Sequence, residues 1–271
     1  MDPREADLRT KLRDLESLKA AGDPTELVTW ADNAKLALEF RETDAMIGLD
    51  PIAGDLVAAL ETARLEALAL ASARGSMAAC IEYAQSVWET KRTDAAGKAV
   101  ELATKAAVTP EGAYLLGLFA FNGFGLPKDL ASSLAYHRKA ADLGHSGAMF
   151  ELYAMLSQGL GAPANDDEAM RWCHRSAEAG NTRAMANLGG YYATGRGVPK
   201  DEALSLKWYD KAARQGHGRA AATLGVMYAL GSGAPASTDK AKEYFALADE
   251  WGYDWRDLAD AQGIDPEEFE A

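Results

Sequence analysis

The sequence predicts an all-α solenoid of stacked helix pairs. Three observations predict it. Alanine is abundant and β-branched residues are sparse, which favours close-packed helices. A Gly-x-Gly-x-Pro connector recurs at a fixed interval of 36 residues, as "NGFGLPKD", "QGLGAPAN", "TGRGVPKD" and "LGSGAPAS". The segments between the connectors are in register with one another. Hydrophobic residues make up 48% of the 271-residue chain, enough to build a core, so whole-chain disorder is excluded.

Residues 1–74 are expected to form a divergent helical cap at the N-terminal end. Apolar periodicity predicts helices near 3–20, 24–42 and 52–74. Asp23–Pro24 and Asp50–Pro51 place proline at two helix entries. Residues 75–107 look like a degenerate repeat. Ala106 and Ala107 match Ala140 and Ala141, the connector is missing, and Thr93–Asp94 marks the helix restart.

Residues 108–252 hold four 36-residue copies. Gly123, Gly159, Gly195 and Gly231 end the first helices, and Gly144, Gly180, Gly216 and Gly252 end the second. Glycine there takes the left-handed conformation that closes a helix. Asp129, Asn165, Asp201 and Ser237 follow the connector prolines and suit the N-cap of each second helix. Tyr136, Trp172, Trp208 and Tyr244 recur in those helices, with small residues one turn away. Leu116, Leu152, Leu188 and Leu224 are the core register of the first helices. Gly117, Gly189 and Gly225 follow them and permit close helix approach. Tyr153 replaces that glycine in the second copy, which is therefore expected to be wider or repacked. The connector is not a phosphate loop, because four copies at one period are structural and the lysine spacing is wrong.

Residues 253–271 are read as a capping helix and acidic tail. Trp251, Tyr253 and Trp255 are expected to cover the last apolar face. Removing 264–271 is expected to take away acids and few core residues.

The motifs L-G-x-x-Y at Leu188, Gly189 and Tyr192, G-x-G-V at Gly195 to Val198, and W-Y-x-x-A-A-x-x-G at Trp208 to Gly216 resemble the Sel-like repeat (SLR) family. That family is a subclass of the tetratricopeptide-like α/α repeats, and the resemblance spans residues 108–252. It implies a right-handed superhelical solenoid whose first helices line a concave groove. By that resemblance the inward positions are Tyr114, Leu118 and Phe121 in the first copy. In the later copies they are Phe150, Ala154 and Ser157, then Ala186, Gly190 and Ala193, then Ala222, Val226 and Ala229. Asn122, Glu151, Arg183, Asn187 and Arg219 add polar contacts along the groove. Tyr114 and Phe121 have a second reading, as packing against the N-terminal helices.

No chemistry beyond binding is legible. His145 and His217 share one repeat position with Asn181 between them, which is turn chemistry. His137 and His174 have no partner at catalytic or metal-ligand spacing. No nucleophile elbow, zinc-protease helix or dinucleotide fingerprint occurs. Cys80 and Cys173 are read as buried free thiols in a reducing cytosol. The chain is therefore expected to be cytoplasmic and non-enzymatic, with no cofactor, no metal and no membrane insertion. Its oligomeric state is not legible.

Net charge is −13, and it is uneven. Residues 108–250 hold 15 acids and 14 bases, while 23–55 hold 8 acids and 2 bases and 251–271 hold 7 acids and 1 base. An acidic surface disfavours nucleic acid, whose binding rests on cationic neutralisation of phosphates. The leading expectation is a scaffold or adaptor that takes a peptide or helix of a protein partner in the groove. The alternative is an inhibitor or immunity-type protein that blocks a toxin or enzyme. The acidic ends suit a partner with a basic surface.

Overall fold

The computed structural model describes residues 3–21, 23–46 and 54–269, which hold helices and no strand. It divides into two compact units, residues 1–129 and 130–271.

The first unit contains α1 (Pro3–Ala21), α2 (Pro24–Met46), α3 (Gly54–Ala73), α4 (Met77–Glu89), α5 (Ala96–Lys105) and α6 (Pro110–Asn122). The first three lie close to the spans that periodicity predicts. The Thr25 N–H donates to Asp23 Oδ1 at 2.6 Å, so Asp23 and Pro24 together open α2. Asp50–Pro51, the other predicted entry, lies outside the described residues. Leu15, Leu27, Leu60 and Leu68 are fully buried between these helices. Arg64 is buried with them and its donors are shared out. Nε donates to the Ala31 carbonyl at 3.2 Å, Nη1 to Ser86 Oγ at 2.7 Å, and Nη2 to Glu82. Three helices are thereby tied through one guanidinium. Helix α4 is capped by Ser76, whose Oγ accepts from the Ala79 N–H. A 3-10 turn at Thr93–Ala95 leads into α5, at the predicted restart.

The second unit contains α7 (Leu130–Asp142), α8 (Ser146–Gln158), α9 (Asp166–Glu178), α10 (Thr182–Thr194), α11 (Glu202–Arg214), α12 (Gly218–Leu230), α13 (Thr238–Glu250) and α14 (Arg256–Asp260). Helices α7 to α13 have 13 residues each. The regularity has a local cause at the starts of α9, α11 and α13. Asn165, Asp201 and Ser237 sit in extended backbone and accept from the N–H groups of Glu168, Leu204 and Lys240. Their own N–H groups donate back to the carbonyls of Leu156, Tyr192 and Tyr228, at 3.0, 2.9 and 2.9 Å. Each connector is thus folded onto the helix it leaves. Gly195 and Gly197 both have φ of +74°, a region that costs an L residue energy.

Interior packing follows the register. Leu152, Leu188 and Leu224 are buried, each worth about 1.5–3 kcal/mol relative to exposure. Gly189 and Gly225 lie under aromatic rings of the following helix. A Cβ on Gly189 would stand 2.8 Å from Tyr209, and one on Gly225 would stand 2.4 Å from Phe245. In the second copy the sizes are exchanged. Tyr153 takes the glycine position, and Cys173 takes the place of the ring twenty residues on. The second copy is therefore repacked. Cys80 and Cys173 are both buried free thiols, and burial pushes Cys173 up to about 12.

The stack is closed by Trp255, which lies 3.9 Å from Phe245 in a stacked pair and donates its indole N–H to Asp249 at 3.1 Å. Trp251 does not share this role, being 45% exposed, while Tyr253 is half-buried. Phe269 packs on Phe245 with ring centroids 5.5 Å apart, and Ile264 is buried beside them. The tail beyond 264 therefore carries core residues. This corrects the expectation that its removal costs little stability.

Candidate functional site

Helices α8, α10 and α12 lie side by side in the second unit and leave a cleft of about 670 Å³. Its floor is apolar, formed by Phe150 of α8, Ala186 and Gly190 of α10, and Ala220 of α12. Tyr209 reaches it from α11, because Gly189 and Gly190 carry no side chain to stop it. A Cβ on Gly190 would stand 3.3 Å from the Tyr209 hydroxyl. One rim carries Tyr153 and Tyr191, whose hydroxyls are 2.5 Å apart. The polar groups are Asn187, Thr194, Thr223, His217 and three arginines, Arg183, Arg196 and Arg219.

The electrostatics are one-sided. The lining holds three guanidinium groups and no carboxylate. Arg183 lies 4.1 Å above the Phe150 ring and 4.0 Å from Glu151. Burial raises the Glu151 carboxyl above its usual range, against the lowering by Arg183. Burial pushes the Tyr209 hydroxyl up, with Arg219 opposing. Burial also holds His217 below its usual value, helped by Arg219 and Arg183. The same imidazole caps α12, since its Nδ1 accepts from the Ala220 N–H at 3.1 Å. His145 and Asn181 cap α8 and α10 in the same way. The turn reading of these residues thus becomes a specific one: they are N-caps.

A second hollow of about 570 Å³ adjoins the cleft across the tyrosine pair and also meets Tyr153, Tyr191 and Arg196. It differs in charge, because Asp166 and Asp167 line it beside Arg171 and Arg175.

Six of the residues assigned from sequence come together in the cleft: Phe150, Arg183, Ala186, Asn187, Gly190 and Arg219. Glu151 sits beside it, paired with Arg183. Phe150 is only 7% exposed, so it serves packing and cleft together. Tyr114, Leu118, Phe121 and Asn122 lie on α6 in the first unit and do not line this cleft. Tyr114, Leu118 and Phe121 are half-buried, and exposed Asn122 donates to the Leu118 carbonyl at 2.8 Å. Ala222 and Val226, named as inward positions, are buried in the core. Sequence reasoning missed Tyr191, Arg196 and Tyr209. It followed one face of the first helices, whereas these arise one position round that helix, in the connector and on the second helix. The paired glycines at 189 and 190 were the available signal for Tyr209.

Among the described residues no group of three or more His, Cys, Asp or Glu is placed to hold a metal ion. No described helix is long and apolar enough to cross a membrane.

A family model described as Sel1 repeat matches residues 110–145, 147–181, 182–217 and 218–248, half of the chain. Among solved structures, a Sel1 repeat protein from Oxalobacter formigenes is 29% identical, with a TM-score of 0.58 over 71% of this chain and 77% of that one. The protective antigen c5321 of uropathogenic Escherichia coli, with an SLR fold, is 22% identical at a TM-score of 0.66. That likeness covers 89% of this chain and 49% of the antigen. No curated protein matches the chain.

Proposed function

We propose, from the premise that this chain belongs to the Sel1 repeat family, that it is a non-enzymatic adaptor which holds a peptide of a protein partner in the cleft across α8, α10 and α12. The fold commonly mediates protein–protein interaction. The observation that carries the finer reading is the cleft itself. Three successive first helices supply an apolar floor, an aromatic wall and donors above it. Its volume lies within the range of about 300–1,000 Å³ typical of ligand sites. The side chains around it offer hydrogen bonds and charge.

A photocrosslinking residue at Thr223, on the cleft, should trap the partner. The same residue at exposed Lys207 on α11 should not. Capture at Lys207 with none at Thr223 would move the interface to the opposite face.

A second reading rests on the C-terminal acids. Asp254, Asp257, Asp260, Asp265, Glu267 and Glu268 are all exposed. Arg256 is the one base among them, placed within 3.3 Å of Asp249 and Asp254. That face suits a partner with a basic surface, as an inhibitor or immunity-type protein would need. Neutralising these six acids should then slow association and flatten its salt dependence. An unchanged association rate would leave the acids as solvating surface.

A further inference from the structure

Resting on the adaptor reading, we propose that the cleft selects an acidic peptide: an extended segment whose carboxylates pair with Arg183, Arg196 and Arg219 and whose apolar side chain lies between Phe150 and Tyr209.

The cleft holds charge that the fold leaves unanswered. Elsewhere in the second unit, some bases find acids: Arg138 meets Glu168 at 2.7 Å, Lys200 meets Glu202 at 2.7 Å, and Arg214 meets Asp210 at 2.8 Å. In the cleft, Arg196 and Arg219 make no ion pair among the described residues, and Arg183 has only Glu151 at 4.0 Å. Position makes this costlier. Arg183 and Arg219 are the second residues of α10 and α12. A helix N-terminus carries the positive end of the macrodipole, where a cation is disfavoured and an anion favoured. Two such termini and three guanidiniums converge on one concavity. An anion placed there relieves all of these repulsions together.

Shape then selects among anions. The Arg183 guanidinium lies 4.1 Å over the Phe150 ring, and its planar fork of N–H donors suits a two-oxygen acceptor such as a carboxylate. The floor beside it is apolar, and the open position at Gly190 exposes Tyr209, so the ligand must bring an apolar group with its charge. Asn187 and Thr223 offer a donor and acceptors for a peptide backbone. A peptide alternating acids with an apolar side chain meets all three demands. A nucleic-acid strand meets them less well, because its continuous phosphates would run on toward Asp166 and Asp167 in the adjoining hollow. The net charge of −13 does not reverse the choice. At physiological ionic strength screening acts over about 8 Å, so the arginines in contact outweigh acids at the chain's ends.

The test is to pan a random-peptide display library on the full chain, then measure a labelled selected peptide by fluorescence anisotropy. The expected set is rich in Asp and Glu around an aromatic or aliphatic residue. The labelled peptide should lose at least tenfold in affinity on Arg183→Glu or Arg219→Glu, on changing its acids to amides, and between 50 and 300 mM salt. These arginines are exposed. If a charge-reversed chain melts early, Arg219→Gln, with the parent's thermal midpoint, should still lose severalfold. Selection of neutral or basic peptides that crosslink to Thr223 overturns the acidic selectivity and leaves the peptide cleft standing. Selection of none that crosslink there overturns both. Tighter binding of a single-stranded oligonucleotide of matched charge overturns the carboxylate assignment.

Discussion

The Tyr153 hydroxyl meets the Tyr191 hydroxyl at 2.5 Å, and this pair forms the wall between the two hollows of the second unit. Both side chains are half-buried, and burial together with Tyr191 raises the Tyr153 hydroxyl well above the ordinary phenol range. Tyr153 therefore enters this hydrogen bond as a neutral phenol. Tyr153→Phe and Tyr191→Phe should each cost about 0.5–1.5 kcal/mol, the net worth of one hydrogen bond. The double variant should cost no more than either single change, since one bond is lost in all three chains. Urea melts of the three decide this, and additive costs would show that the hydroxyls do not act on each other.

Tyr153 stands where other copies have glycine, and the chain compensates at Cys173. Cys173→Tyr alone should overpack the second copy and cost about 1–3 kcal/mol. Tyr153→Gly alone should leave a cavity and cost more, as loss of an aromatic side chain does, at about 3–5 kcal/mol. Together they recreate in the second copy the glycine–ring pairing that Gly189 makes with Tyr209, so the double variant should be more stable than the sum predicts by 0.5 kcal/mol or more, roughly the scale of coupling between contacting residues. A strictly additive double variant would break the size-exchange account.

The connectors make a backbone prediction. Gly195→Val and Gly197→Val each force a β-branched residue to a φ of +74°. A Cβ at Gly195 would also stand 3.2 Å from Lys200 Cβ, and one at Gly197 would stand 3.3 Å from Met170 Cε. Each should destabilise by at least about 1–2 kcal/mol. Gly97 in the first turn of α5 has open space around it and no positive φ, so Gly97→Ala should be neutral or slightly stabilising. Equal melting temperatures for all three would remove the left-handed requirement.

These connectors explain why the fold was so legible. Gly195, Asp201 and Leu188 each act locally, through a backbone conformation, a cap and a buried face, and each recurs at one period. The cleft was half legible. Arg183, Asn187 and Arg219 lie on the helix face that periodicity tracks. Tyr209 depends on a pair of missing side chains on another helix, and Arg196 on the path of a turn. The tail was misread because Ile264 and Phe269 are spaced by acids and carry no helical period. Their burial is decided by Phe245 and Trp255, not by neighbours in sequence.

Acid should unfold the chain partly through His137. The imidazole is 1% exposed, and burial pushes its pKa down to about 4, helped by His145. The unfolded value is about 6.5. Between these values the unfolded chain binds a proton that the folded chain refuses. Stability is therefore full above pH 6.5 and falls toward pH 4, by up to about 3 kcal/mol from this residue. Burial lowers His217 too, so it acts in the same direction. Urea melts at pH 7.5, 6.0 and 4.5 should show a shallower decline in His137→Gln than in the parent. Parallel declines would assign the acid sensitivity to other groups.

The C-terminal tail separates packing from charge most cleanly. Phe269 lies at 9% exposure against Phe245, which itself stacks on Trp255. Asp265 caps the turn that brings Phe269 back, accepting from the Glu267 N–H at 3.0 Å. Glu267 and Glu268, between them, are exposed and make no ion pair among the described residues. A terminal unit of a repeat stack has no following copy, so its apolar face needs another cover. Phe269→Ala should therefore cost about 3–5 kcal/mol, the usual range for losing a buried phenyl ring. Glu267→Gln with Glu268→Gln should leave the melting temperature unchanged while shifting the net charge from −13 to −11. Asp265→Ala should fall between them at about 1 kcal/mol, the worth of a lost cap. If Phe269→Ala melts like the parent, the tail is not the cover, and Trp255 alone closes the stack.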